Sequence, residues 1–227
     1  MIPRPDTPLI VALDVSQVDV AAGIAERLGP EVGMLKIGLE LFWAGGPEAV
    51  RRIGSHGPVF VDSKLHDIPN TVERAAVNIA RLGVRMFNVH ALGGEVMMRA
   101  ALEGAKRGAD GAGVPMPLVI AVTVLSSQAG EDLASPASLA FEAKTAGLDG
   151  VVVSGADVKD VRTACGDAFC LVVPGVRPKG ANGHDQVRVL NPREAMELGA
   201  DYLVVGRPIL DADDPVGVVR GILREIR

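Results

Sequence analysis

The chain has 227 residues and a formal net charge of −5, so an anionic ligand would have to be gripped by a few placed cations and not by a general positive field. Aromatic residues make up only 3%, which argues against a nucleic-acid reader, with its stacking platforms and basic stripes. Hydrophobic residues reach 48%, enough for a core of Val, Ile, Leu and Ala, yet no apolar run approaches the ~18 residues of a membrane helix.

The opening Met1-Ile-Pro-Arg-Pro-Asp-Thr-Pro8 lacks the apolar segment of a secretion signal. Cys165 and Cys170 have no Cys or His partners at metal-ligand spacing. The expectation is a cytoplasmic protein with two reduced, partly buried thiols and no membrane or nucleic-acid partner.

Short apolar runs alternate with helical patterns from end to end. Strands are predicted at Leu9–Leu13, Val32–Ile37, from Val59, and at Met86–Val89, Leu118–Val124, Gly150–Val153, Phe169–Val173 and Tyr202–Val205. The helices between and after them fall at Val18–Leu28, Glu48–Gly54, Val72–Leu82, Glu95–Arg107, Ser138–Ala146, Val158–Ala164, Arg193–Leu198 and Val216–Ile226. Gly83, Gly108, Gly147 and Gly199 stand where C-terminal caps are expected. About eight βα units without a linker predict an α/β fold, a (β/α)₈ TIM barrel forming one domain over residues 1–227. A doubly wound open sheet is the alternative, but no G-x-G-x-x-G follows the first strand. The connection from Pro174 to about Leu190, rich in Gly, Pro, Asn and Lys, is long enough for a lid.

The most informative stretch is Val59-Phe-Val-Asp-Ser-Lys-Leu-His-Asp-Ile-Pro-Asn-Thr71. An apolar strand runs directly into Asp62, Lys64 and Asp67. Alternation puts Asp62 and Lys64 on one side, and Asp67 falls where the chain turns into Pro69. Taken alone, this is an ion pair capping a strand. Other strands also end in polar groups: Asp14, Lys36, Asn88, His90, Ser126, Arg177 and Arg207. In a barrel these converge on the catalytic mouth. Gly206-Arg207 after the last strand suits phosphate, through an open backbone N–H and a guanidinium fork.

Ala12-Leu-Asp14, Lys36-Ile-Gly38, Asp62 to Thr71, Asn88-Val-His-Ala91, Pro174-Gly-Val-Arg177, Asp185-Gln-Val-Arg188 and Val205-Gly-Arg207 together resemble the orotidine 5′-phosphate decarboxylase family over essentially the whole chain. The resemblance implies a homodimeric enzyme of pyrimidine nucleotide synthesis that converts orotidine 5′-phosphate to UMP without metal or cofactor. It implies a charged array of Lys36, Asp62 and Lys64 with Asp67 reaching in from the partner subunit. Lys64 would protonate C6 of the pyrimidine. Asp14 and, in part, Lys36 would bind ribose hydroxyls, with Thr71 joining Asp67 across the interface. Ser126 matches the position that reads the pyrimidine edge, with Thr123 and Ser127 close enough to compete. Gln186 would bridge base and phosphate, Gly206 and Arg207 would hold the phosphate, and Arg177 belongs to the same lid.

Metal-dependent sugar-phosphate decarboxylases and aldolases on this barrel share D-x-K-x-x-D but should carry a Glu where this chain has Lys36, which would repel a divalent ion. A silent nucleotide-phosphate binder would need only Asp14, Gln186 and Arg207. His66 and His90, near the mouth, have no nucleophile or metal companion and read as structural hydrogen-bonding residues; His56 and His184 read as surface residues.

Overall fold

The computed structural model describes residues 7–124, 134–177 and 190–226. Parallel strands β1 (Leu9–Ala12), β2 (Met34–Ile37), β3 (Val59–Leu65), β4 (Met86–His90), β5 (Leu118–Val122), β6 (Gly150–Val152), β7 (Cys170–Pro174) and β8 (Tyr202–Val205) form a closed barrel in sequence order. Pairing of β8 with β1 at Leu203↔Leu9 closes the ring and rules out the open sheet. Around it lie α1 (Val18–Leu28), α2 (Leu39–Gly54), α3 (Pro69–Ala80), α4 (Gly94–Ala112), α5 (Pro136–Thr145), α6 (Val158–Cys165), α7 (Pro192–Glu197), α8 (Arg207–Leu210) and α9 (Pro215–Glu225).

Strand alternation sorts the apolar residues into two layers. Leu9, Val11, Leu35, Ile37, Val59 and Val61 pack outward with the helices. Ile10, Ala12, Met34, Phe60, Met86, Ile120, Tyr202 and Val204 fill the barrel. Continuing the inward series one step toward the strand C-termini reaches Asp14 after Ala12, Lys36 after Met34 and Asp62 after Phe60. The same step reaches Asn88 after Met86, Ser154 after Val152 and Gly206 after Val204. The barrel interior is therefore apolar below and polar at its mouth.

Helices α2 and α4 run well beyond their expected bounds, α3 starts three residues early, and the short α8 was not expected. α2 begins at Leu39, well before Glu48, as two helical pieces joined at Gly46 (φ 56°, ψ −148°). Pro47 opens the second piece, where its missing N–H costs nothing, and the Gly-Gly-Pro between the pieces hid the first. α4 runs past Gly108 to Ala112 and is capped by Gly113 at φ 65°. Gly108 is thus an interior residue, needed for contact with α3. A Cβ at Gly104 or Gly108 would collide with the carbonyl oxygens of Glu73 and Val77, respectively. This close approach of α3 and α4 fixes the helices behind β3 and β4, the strands that carry Asp62, Lys64 and Asn88.

Both cysteines are buried and unpaired, and burial pushes both thiols up. At the opposite end of the barrel, Arg162 donates to the carbonyls of Gly166, Phe169 and Gly199 and pairs with Asp201 at 2.7 Å. Asp201 also accepts the Leu171 N–H, tying β7 to β8.

Gly108→Ala is expected to destabilise by about 1–3 kcal/mol through overpacking. Gly111→Ala, where an added methyl meets nothing within 4 Å, should be neutral or stabilise by up to about 1 kcal/mol. Urea unfolding of the two variants checks the contrast.

Candidate active site

Charges alternate across the mouths of the first three strands. Lys36, only 8% exposed, holds Nζ 3.3 Å from Asp14 Oδ1 and 3.3 Å from Asp62 Oδ2. Lys64 Nζ donates to Asp62 Oδ1 at 2.6 Å. The resulting row, Asp14–Lys36–Asp62–Lys64, lines a cavity of about 330 Å³. Arg177, Gly206 and Arg207 line the same cavity, together with an apolar wall that includes Val122, Val124 and Val152. Glycines flank the row: a Cβ at Gly38 would stand 3.3 Å from Lys36 Nζ, and one at Gly206 3.2 Å from Asp14 Oδ2.

Asp62 and Lys64 do share the cavity side, but regular alternation is not what puts them there. β3 pairs with β4 at Val61↔Phe87 and next at Leu65↔Val89, so Asp62, Ser63 and Lys64 bulge opposite the single residue Asn88. Within the bulge Lys64 adopts φ 46°, a left-handed conformation that costs a non-glycine residue about 1–3 kcal/mol. Asn88, fully buried, spans the bulge. Its Oδ1 accepts the Lys64 N–H at 2.7 Å, and its Nδ2 donates to Asp62 Oδ1 at 2.7 Å. Its carbonyl oxygen accepts the Ser63 hydroxyl at 2.7 Å.

Burial opposes ionisation of Asp62, but the charges of Lys36 and Lys64, with hydrogen bonds from Lys64 and Asn88, win and hold its carboxyl below the ordinary value. His90 moves down: burial disfavours its charged form, and His66 and Lys64 add to the effect. Its ring lies 5.4 Å from that of His66. The buried Nδ1 of His90 finds no hydrogen-bond partner among the described residues, contrary to the hydrogen-bonding role expected of it.

Asp67 and Thr71 are exposed and lie outside the cavity lining; Asp67 Oδ1 accepts the Ile68 N–H at 2.7 Å. Within one protomer the structure does not join Asp67 to the row. Thr123 is withdrawn from the competition to read a base: it is 1% exposed and its hydroxyl donates to the Val152 carbonyl. Ser126, Ser127 and Gln186, with the span 178–189, lie outside the described residues. Ser154, which sequence reasoning missed, lines the cavity and donates to Asp157 Oδ2 at 2.6 Å. The inward alternation past Val152 was the signal that could have found it. Among the described residues no three His, Cys, Asp or Glu side chains group to hold a metal ion, and Lys36 Nζ occupies the space between two carboxylates.

Residues 7–222 match the model of the orotidine 5′-phosphate decarboxylase / HUMPS family. The chain belongs to that family. It is 47% identical to orotidine 5′-phosphate decarboxylase of Moorella thermoacetica, over 96% of this chain and 91% of that protein. The enzyme of the same name from Syntrophotalea carbinolica is 48% identical, over 96% and 94%. Among solved structures, orotidine 5′-phosphate decarboxylase from Lactobacillus acidophilus superposes with a TM-score of 0.84 at 35% identity, covering 98% of this chain and all of that one.

Because the folded Asp62 carboxyl lies below 3.8, its ionic contribution to stability is complete above that value and is lost as pH falls through the depressed one. Asp62→Asn is expected to be less stable than the native protein at neutral pH, with the gap closing below about pH 4. Urea unfolding across pH 2–7 (approximately the range over which carboxylates titrate) reads this directly.

Proposed function

We propose that this chain decarboxylates orotidine 5′-phosphate to UMP in pyrimidine nucleotide synthesis, without metal or cofactor. The observation that carries the reading is the unbroken Asp14–Lys36–Asp62–Lys64 row in a cavity that also presents Arg177 and Arg207. Lys36 between the Asp14 and Asp62 carboxylates supports metal independence, since its ammonium fills the place a divalent cation would need.

The chemistry follows from the charges. When the C6–carboxylate bond breaks, CO₂ leaves and the electron pair stays on C6 in an in-plane orbital that the ring cannot delocalise. A fixed ammonium beside C6 stabilises that charge and then gives it a proton, so Lys64 serves as electrostatic partner and general acid. Asp62 keeps Lys64 charged and oriented. The amine regains a proton from solvent, and the sum is orotidine 5′-phosphate plus a proton giving UMP and CO₂. Asp14 and Lys36 bind the ribose; Arg207, the Gly206 N–H and Arg177 hold the phosphate end. Ser126 reads the pyrimidine, and Gln186 bridges base and phosphate. Binding of the remote phosphate can favour closure over the reacting carbon.

The enzyme acts as a homodimer, with Asp67 and Thr71 serving the partner's site. Their exposure outside their own cavity supports this, as does the 65% exposed Ile68 beside Asp67. Residues 1–227 form one domain that works in the cytoplasm; no helix among the described residues is long and apolar enough to cross a membrane.

Added to protein in EDTA, orotidine 5′-phosphate should give the ultraviolet absorbance change of conversion to UMP; no turnover without metal contradicts the mechanism. Lys64→Ala should lower kcat by at least ~10⁴-fold while UMP binding stays measurable by calorimetry. Mixing Asp67→Ala with Lys64→Ala protein should restore part of the activity, because hybrid dimers regain one intact site. Subunit exchange without recovery would refute the shared site.

A further inference from the structure

We propose that Asn88 is a positioning residue of the catalytic array, fixing both the orientation of Asp62 and the left-handed backbone of Lys64. The proposal rests on the decarboxylase reading of the cavity. Three residues of β3 stand opposite Asn88, and its side-chain amide clamps the two ends of that bulge: Oδ1 on the Lys64 N–H and Nδ2 on Asp62 Oδ1, each at 2.7 Å. Asp62 Oδ1 is the same oxygen that receives Lys64 Nζ at 2.6 Å. One amide group therefore sets where the backbone of Lys64 begins and where its ammonium ends.

Asn88 does not line the cavity and is fully buried, so it acts through these two residues and not on a ligand. A buried amide serving packing alone would not need its acceptor on the backbone N–H of the left-handed Lys64 and its donor on the Asp62 carboxylate. The groups facing Asp62 are Lys36 from β2, Lys64 from its own strand, and Asn88 and the more distant His90 from β4.

Two substitutions separate the bonds. Asn88→Asp keeps the acceptor for the Lys64 N–H but turns a carboxylate oxygen toward Asp62; Asn88→Ala removes both bonds. Each should lower kcat per folded site by about 10²-fold, the scale of a 1 Å misplacement of a reacting group. KM and UMP affinity should change by less than about threefold, because no substrate contact is lost. In Asn88→Asp the acid limb of the kcat profile should move to higher pH, since a like charge and a lost donor both favour protonated Asp62. A merely structural role would lower the melting temperature and leave kcat per folded site and the acid limb unchanged; that result overturns the proposal. Asn88→Asp preserves side-chain shape and serves if the alanine variant does not fold.

Crystal structures give a readout independent of turnover. In Asn88→Ala, Lys64 should leave the positive-φ region or its Nζ should leave Asp62; both retained overturns the proposal. If native protein fails to turn over orotidine 5′-phosphate, the functional reading falls, and the crystal structures still decide what Asn88 holds.

Discussion

Asp62 carries two ammonium groups on one carboxylate, and the mouth of the barrel is built around that fact. Two lysines so close repel, and each loses hydration; an opposite charge at about 4 Å returns roughly 4 kcal/mol in a partly screened environment. With Asp62 between them, and Asp14 on the far side of Lys36, the row alternates in sign and is neutral overall. Barrel register makes the arrangement possible. Ala12, Lys36 and Phe60 stand level on β1, β2 and β3, and Asp14 and Asp62 lie one inward step above them. The long Lys36 side chain rises between its two neighbours and meets both at 3.3 Å. A one-residue slip in either pairing would turn these groups away from one another.

The same constraint explains why β3 does not stay regular. An ordinary strand would carry the Lys64 backbone onward at 3.2–3.4 Å per residue. The bulge keeps Lys64 close enough to close a 2.6 Å contact with Asp62, at the cost of a left-handed lysine. Strain of this kind persists only where surrounding bonds over-determine it, and the Asn88 amide with the Ser63 hydroxyl supplies those bonds. The interior glycines of α4 support them from behind, letting α3 and α4 approach closely behind β3 and β4.

Much of this was legible in the chain. Strand–helix alternation gave the barrel, and polar residues at strand ends gave Asp14, Lys36, Asp62, Lys64, Arg177 and Arg207, all of which line one cavity. What stayed hidden was non-local. A period-2 reading puts Asp62 and Lys64 on one side but misses the bulge that brings them there, because the bulge is defined by what β4 offers opposite. Asn88 reads as an ordinary strand-end residue until its partners on β3 are known. Gly108 reads as a cap because both caps and close helix contacts select glycine; only the neighbour, the Val77 carbonyl, tells them apart. Asp67 and Thr71 show the opposite case: their motif is plain in sequence, yet one protomer leaves them outside its own cavity.

The cavity divides its work between two kinds of support. The groups assigned to chemistry in the proposed reaction sit on β2 and β3 and are held by ion pairs and a buried amide. The cations assigned to phosphate, Arg177 and Arg207, come just after β7 and β8, and Arg207 is exposed on the first residue of α8. This distribution suits decarboxylation. Charge develops at C6 within the reacting step, so its partner gains most from being fixed beforehand, with no reorganisation during the reaction. A phosphate carries its charge throughout, so its partners can adjust as the ligand arrives. In the proposed reaction, rigid strands therefore bear the lysine assigned to the carbanion, and the segments after the last two strands bear the cations assigned to the phosphate.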